Sequence, residues 1–272
     1  MIVISEEEFK HLAHYIKAQF GINLKQEKKT LLVARLQRHL LEQGFDSFAQ
    51  YLQHIKADSS GASDLMLANR ITTNHTFFMR EANHFYYLRD KVLPIIVRTI
   101  RDYDLRIWSA GCSSGEEPYT LAILLDEFFG PRKQGWNTQV LATDLSAKVL
   151  EIAAKGTYSN DALDTVPALW RSSYFRKLNE EQSVVLDKVK LEVIFRQFNL
   201  MQKTFPFKRK FHVIFCRNVM IYFDHETKRE LIRKFYEMTE PGGYLFIGLS
   251  ESLERDKTEY AYIMPSVYRK EL

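Results

Sequence analysis

The segment WSAGCSSGEEPYTLAILL (108–125) constrains this chain more than any other. The apolar run LRIWSA (105–110) leads into a glycine-bearing turn and then a strongly apolar helical stretch over 116–129. A short buried strand that turns directly into a helix is a unit of a parallel α/β sheet covered on both faces. In such sheets ligands bind outside the carboxyl ends of the strands, and the first turn wraps a nucleotide-like group. Gly111 and Gly115 can take positive φ and leave space for a ligand against the backbone. The turn is GxxxG, which is neither the GxGxxG of a dinucleotide site nor a phosphate loop. Glu116 and Glu117 suit the helix dipole but repel a pyrophosphate. The turn therefore points away from NAD and ATP and toward a ligand with positive charge, such as a sulfonium bearing an amino group. A helix start merely decorated with acids is the plain alternative.

The same rhythm continues downstream. VLATD (140–144) reads as a strand before a helix over 146–155, and FHVIFCRN (211–218) as a buried strand before a helix over 225–239. PGGYLFIGLS (241–250) is a turn and a further buried strand, and YAYIMPSVYRK (260–270) alternates like a terminal hairpin strand. Residues 168–198 break the rhythm: VVLDKVKLEVIFRQF is β-rich, which predicts a small β insertion. Asp144 closes a strand where a carboxylate can accept two hydrogen bonds from ribose hydroxyls, although it also reads as a helix N-cap. FNL (198–200) and CRN (216–218) end further apolar stretches, with asparagines able to serve an adenine edge or simply to form turns. Four strand ends then converge on one crevice.

The N-terminal part is different in kind. Ser5 with Glu8 makes a capping box for a helix over 5–20, and Phe9, Leu12, Ala13, Ile16 and Phe20 follow at helical spacing. Further helices fit 26–43, 47–57 and 63–71, with no strand signal among them. The chain of 272 residues thus divides into a helical domain, 1–75, and an α/β domain, 76–272. Two cysteines, Cys112 and Cys216, make no disulfide framework, which suits a reducing cytoplasm. The acidic N-terminus is no signal peptide, and no apolar run reaches the roughly 18 residues of a membrane span. His11 and His14 lack metal-site spacing, so no metal is expected.

RITTNHTFFMRE (70–81), WSAGCSSGEEPYT (108–120), ATD ending at Asp144, FNL, FCRNVMIYF (215–223) and PGGYLFIGLSES (241–252) together resemble the CheR family of chemotaxis receptor methyltransferases. Motifs in that order are highly specific, and with the helical domain they cover nearly the whole chain. The resemblance implies a Rossmann-like class I methyltransferase domain with a small β insertion, preceded by an all-α domain. It also implies methyl transfer from S-adenosylmethionine to glutamate side chains of chemoreceptors, giving γ-glutamyl methyl esters and S-adenosylhomocysteine.

Residue by residue, the motif match assigns cofactor contacts to Asn74, Thr76, Arg80, Ala110, Glu116, Asp144, Leu145, Asn199, Leu200, Arg217 and Asn218. Arg80 falls at the methionine end of the ligand and Glu116 at its ammonium. Arg80 and Tyr222 are the candidate catalytic residues, Tyr222 lining the acceptor pocket unless it is an ordinary half-buried tyrosine. A glutamate of pKa near 4.3 is already ionised at neutral pH, so no general base is required. The work left is to desolvate the carboxylate and place it in line with the methyl group.

Charge locates the partner. Residues 22–40 hold Lys25, Lys28, Lys29, Arg35 and Arg38 against Glu27, a local excess equal to the net charge of the whole chain, +4. Lys28, Arg35, Arg38 and His39 fall on one side of a helix at about 100° per residue. A charged face is often only solvated, but the resemblance makes it the surface that meets acidic receptor helices, with Lys28, Arg35 and Arg38 as contacts. The β insertion (174–195) contains no glycine, unlike the glycine-patterned loop with which some family members grip a receptor C-terminal pentapeptide; a tether-independent, monomeric enzyme is expected. A carboxyl methyltransferase of another signalling protein and a non-catalytic regulatory module are the alternatives, although a module should have lost Arg80, Glu116 or Asp144. No signature of nucleic-acid binding is present.

Overall fold

The computed structural model describes residues 2–272. Four helices open the chain: α1 (Glu6–Phe20), α2 (Lys29–Glu42), α3 (Phe48–Ala57) and α4 (Ala62–Ile71). The Ser5–Glu8 capping box forms as the spacing predicts, and Gly21 ends α1 in the left-handed conformation. Each helix turns its apolar stripe inward, Leu12 and Ile16 of α1 meeting Leu36 and Leu40 of α2 and Tyr51 of α3 in one core. His39 belongs to that buried face and packs edge-on against Tyr51 at 5.5 Å, so it is not part of the charged surface.

Beyond a six-residue strap of irregular backbone (72–77) comes a helical connection through α5 (Asn83–Tyr87) and α6 (Leu93–Ile96). The α/β domain is then built on β1 (Ile107–Ala110), α7 (Glu116–Phe129), β2 (Val140–Asp144), α8 (Ala147–Lys155) and β3 (Thr157–Ser159). It continues with α9 (Ala168–Tyr174), β4 (Phe175–Lys177), β5 (Gln182–Val185), α10 (Asp187–Lys190), β6 (Val193–Gln197) and β7 (Phe211–Cys216). The last elements are α11 (His225–Met238), β8 (Thr239–Ile247), β9 (Ala261–Met264) and β10 (Val267–Arg269).

Seven strands form one sheet in the order β6-β2-β1-β7-β8-β10-β9. The five from β6 to β8 are parallel, and β10 and β9 close the far edge as an antiparallel hairpin. All four residues of β1 are buried because helices and loops cover both faces. On one face Trp108 is enclosed by Phe198, Phe205, Phe207, Phe211 and Phe235. On the other, Phe215 stacks on Phe246 with ring centroids 4.4 Å apart.

The β insertion differs from its expected bounds of 168–198. Its sheet, β3-β5-β4, starts earlier at Thr157, whereas Val193–Gln197 leaves it and pairs in parallel with β2 as the edge of the main sheet. Alternating apolar residues mark a strand without naming its partner, which is why the sequence placed 193–197 in the wrong sheet.

The helical domain is docked on the carboxyl end of the main sheet. Asn23 N–H donates to Tyr222 O at 2.8 Å, Ile22 bridges Phe223, and Lys17 pairs with Asp224, the N-cap of α11. Asn199 Nδ2 donates to Gln19 O at 2.8 Å. One apolar core runs through the join, so a cleft above the strand ends acquires walls from both domains.

Candidate active site

The cleft encloses about 440 Å³, within the range of small-molecule sites. Its floor is made by the turns after β1, β2, β6 and β7, and its roof by the strap and by residues 20–35 of the helical domain.

The β1–α7 turn is locked before any ligand arrives. Gly111 and Cys112 N–H both donate to Thr143 O, at 2.8 and 2.9 Å, which fastens the turn to β2. Gly111 has φ +98°, and a Cβ there would collide with Val219 Cγ2. Gly115 has φ +100°, with Ala153 Cβ and Tyr158 Oη both 2.9 Å from where its Cβ would stand. These glycines are required by backbone conformation and by close packing together.

Asp144 ends β2 with its carboxylate buried at the cleft. Oδ2 accepts from Ser113 N–H at 2.8 Å and Oδ1 from Ser146 N–H at 2.9 Å. Two acceptor positions remain for ligand hydroxyls. Burial pushes this carboxyl above its usual value against the pull of those backbone donors. Asp144 therefore stays outside the N-cap role: Ser146 caps α8 through its own hydroxyl. Leu145 and Leu200 add apolar wall to the cleft.

Beyond β7, Asn218 adopts φ +59° and its N–H donates to Glu251 Oε2 at 3.0 Å. Glu251 also accepts from Gly248 N–H at 2.6 Å and Ile221 N–H at 3.0 Å, so one buried carboxylate shapes the whole turn. Arg217 is sealed beneath: its guanidinium lies 5.1 Å from the Phe85 ring centre, with Nε 3.2 Å from Glu117 and 3.9 Å from Glu81. Nη2 donates to Arg80 O, but Nη1 is buried without a partner among the described residues. An unpaired guanidinium donor on the cleft wall is costly unless a ligand acceptor fills it.

Several expected contacts are placed differently. Ala110 has its methyl in the core; the wall at that level is Gly111. Glu116 is turned from the cleft, its carboxylate taking Ser114 Oγ–H at 2.8 Å and raised by burial. Glu117 lies on the cleft instead, held by Ser109 Oγ at 2.7 Å beside Arg217, and burial raises its carboxyl too. Successive helical residues are about 100° apart, so only one of two adjacent acids can face the ligand. Asn199 lines the cleft, but Oδ1 accepts from Met201 N–H at 2.9 Å and Nδ2 reaches Gln19, so its side chain forms a turn and a domain contact.

From the roof, Asn74, Thr76 and Arg80 come down onto the cleft. Ser113 Oγ donates to Asn74 O at 2.9 Å, tying strap to floor, and Arg80 Nη1 donates to His75 O at 2.7 Å. Tyr222 stands at the mouth, about one-third exposed at 36%. Of the three basic candidates, Lys28, in the turn that leads into α2, is exposed and lines the cleft, and Arg38 projects into solvent beside Glu42 at 2.7 Å. Arg35 does not join them: it is half-buried, with its guanidinium on Ile71 O and on Thr73 Oγ1 at 2.7 Å. The motifs missed Glu117, Ser113 and Glu81. Glu117 was visible as the second acid of GEEPY and Glu81 as the last residue of RITTNHTFFMRE, but the partners of Glu81 are distant in sequence.

The donor set fits S-adenosylmethionine: a buried carboxylate with two free acceptor positions at a strand end, apolar walls, and an unfilled guanidinium donor. Among the described residues no group of His, Cys, Asp and Glu could hold a metal ion.

Residues 74–268 match the family model for the SAM binding domain of CheR methyltransferases, and residues 7–71 match that for their all-alpha domain. A chemotaxis protein methyltransferase from Borreliella burgdorferi is 39% identical over 272 residues, covering 99% of this chain and 96% of its own length. A probable chemotaxis protein methyltransferase from Rhizobium etli is 35% identical, covering 94% and 99%. One from Salmonella typhimurium is 34% identical, covering 98% and 91%.

Proposed function

Because the chain belongs to the CheR family of S-adenosylmethionine-dependent methyltransferases, we propose that it methylates glutamate side chains on the cytoplasmic helices of chemoreceptors, releasing S-adenosylhomocysteine. Bound S-adenosylmethionine supplies an electrophilic methyl group on a sulfonium that leaves readily. Asp144 would orient the ribose, Leu145 and Leu200 would pack the adenine, and Arg80, backed by the buried Arg217 charge, would meet the methionine carboxylate. Glu117 takes the ammonium role that the motif match gave to Glu116.

The acceptor carboxylate enters ionised, so this chain has no proton to remove from it. Tyr222 at the mouth orients the carboxylate, Arg80 adds its charge from the methionine end, and the strap and helical domain shield it from water. The observation that carries this reading is the rim: Lys25 and Lys28 line the cleft from the helical domain against the single acid Glu27. An anionic helix is steered to such a rim. Lys28, just before α2, and Arg38, on it, extend this field and are the receptor contacts. The domains act as 1–75 for recognition and 76–272 for transfer.

The enzyme works as a cytoplasmic monomer and needs no receptor C-terminal tether. No helix of the described residues is long and apolar enough to cross a membrane. Tritiated methyl transfer to chemoreceptor membranes tests the acceptor: the label should be base-labile and leave as methanol. Label that resists base, or that goes to soluble proteins alone, would overturn the assignment. Calorimetric titration with a receptor C-terminal pentapeptide should give no heat of binding.

A further inference from the structure

We propose that Arg35 is a positioning residue for the methyl donor: from α2 it holds the strap against the cofactor turn, and it does not reach the receptor. The inference rests on the cofactor reading of the cleft and is independent of which acceptor is methylated.

Residues 72–77 have no helix or strand to order them, yet Asn74 and Thr76 must sit on the cleft. Besides the local bonds of Thr72 N–H and Oγ1 to Ala68 O and of Arg80 Nη1 to His75 O, two groups distant in sequence hold it. On the outer side Arg35 Nη1 donates to Ile71 O at the end of α4, and Nη2 donates to Thr73 Oγ1 at 2.7 Å. On the inner side Ser113 Oγ donates to Asn74 O at 2.9 Å, while Ser113 N–H donates to Asp144 Oδ2 at 2.8 Å. The path from α2 to the ribose carboxylate therefore runs Arg35, Thr73, Asn74, Ser113, Asp144, with each polar link a direct hydrogen bond.

The residue type suits this task. The last carbonyls of a helix lack intrahelical partners and favour a cation. A planar guanidinium reaches two acceptors at fixed geometry, which a lysine ammonium cannot reproduce. Arg38, one turn away, shows the contrast: its side chain is 86% exposed, and its ion pair with Glu42 lies within the same helix. Without Arg35 the strap loses its tie to α2 at Thr73, and the donor must order more of it on binding.

Calorimetry with S-adenosylhomocysteine on the full chain, without receptor, tests this. Arg35→Ala should weaken binding about tenfold, ~1.4 kcal/mol, at unchanged stoichiometry. Arg35→Lys should recover little of that loss. Thr73→Val should weaken binding less, and the double variant should lose no more than Arg35→Ala alone, since both remove one interaction.

Wild-type affinity in Arg35→Ala, with only the receptor KM raised, would overturn the proposal and make Arg35 a receptor contact. Reduced stoichiometry at wild-type affinity would overturn it as well, by showing a purely structural role. Should Arg35→Ala fail to fold, Thr73→Val decides, and wild-type affinity there counts against the strap. Failure of the wild-type chain to bind S-adenosylhomocysteine would instead strike the cofactor reading itself.

Discussion

Asp144 and Arg38 are charged groups of the same protein that live under opposite physics. Asp144 is buried, and two backbone N–H donors hold its carboxylate in one orientation. Arg38 stands in solvent with one carboxylate of its own helix nearby. The floor of the cleft is a preorganised site, where buried polar groups are held in fixed orientations by hydrogen bonds within the fold. The α2 face is a field, where no single contact is strong and the sum attracts an anionic partner at a distance. Loss of a floor residue should therefore be local, large and insensitive to salt, whereas loss of a face residue should be small, additive and screened.

The sharpest way to break this contrast is Asp144→Ala. It strips the ligand acceptors and leaves the Ser113 and Ser146 N–H groups without their partner, at about 1–3 kcal/mol for each buried orphan. S-adenosylhomocysteine binding should weaken by at least about 30-fold, ~2 kcal/mol, and methyl transfer should fall with it. Both are read by calorimetry and radiolabel transfer.

Next comes Gly111→Ala, which combines positive φ with a Cβ that collides with Val219 Cγ2. Denaturant unfolding should show a loss of about 1–3 kcal/mol. Val219→Ala in the Gly111→Ala chain should return the steric part while the backbone strain stays.

On the face, Lys28→Ala with Arg38→Ala should raise the receptor KM about three- to tenfold at low salt. It should also flatten the salt dependence, with S-adenosylhomocysteine affinity unchanged; equal salt slopes in wild type and variant would remove the field from the account.

The smallest effect belongs to the domain contact. Lys17 beside Asp224 lowers that carboxyl to about 2, helped by Thr227 N–H. A carboxyl lowered on folding stabilises above its unfolded pKa, near 3.9, and the contribution disappears as pH falls through that value toward 2. Lys17→Ala should therefore shift the thermal midpoint slightly at pH 7 and less at pH 3, measured by circular dichroism.

How much of this was legible in the sequence follows the same division. The floor is local in sequence: VLATD and the helix over 116–129 appear in the structure at those positions, since strand, turn and helix signals are contiguous. The roof depends on distant partners. The helical wheel set Arg35 beside Lys28 and Arg38, but a long side chain goes where acceptors lie, and the path of residues 71–73 could not be read from α2 alone. The same reason hid Glu81, whose carboxylate reaches Asn218 Nδ2 at 3.3 Å and Leu249 N–H at 3.2 Å. Between Glu116 and Glu117 the sequence shows two adjacent acids, and only the helix phase set by packing decides which faces the cleft.

The most direct measurement crosses the two regions in one data set. For wild type, Asp144→Ala and the Lys28→Ala/Arg38→Ala pair, S-adenosylhomocysteine affinity and receptor KM are measured at low and high salt. The account predicts that Asp144→Ala moves the cofactor constant at both salts, and that the α2 pair moves only receptor KM and only at low salt. An α2 pair that weakens cofactor binding as Asp144→Ala does, or a receptor KM indifferent to both the pair and salt, would contradict the division between a preorganised floor and a steering face.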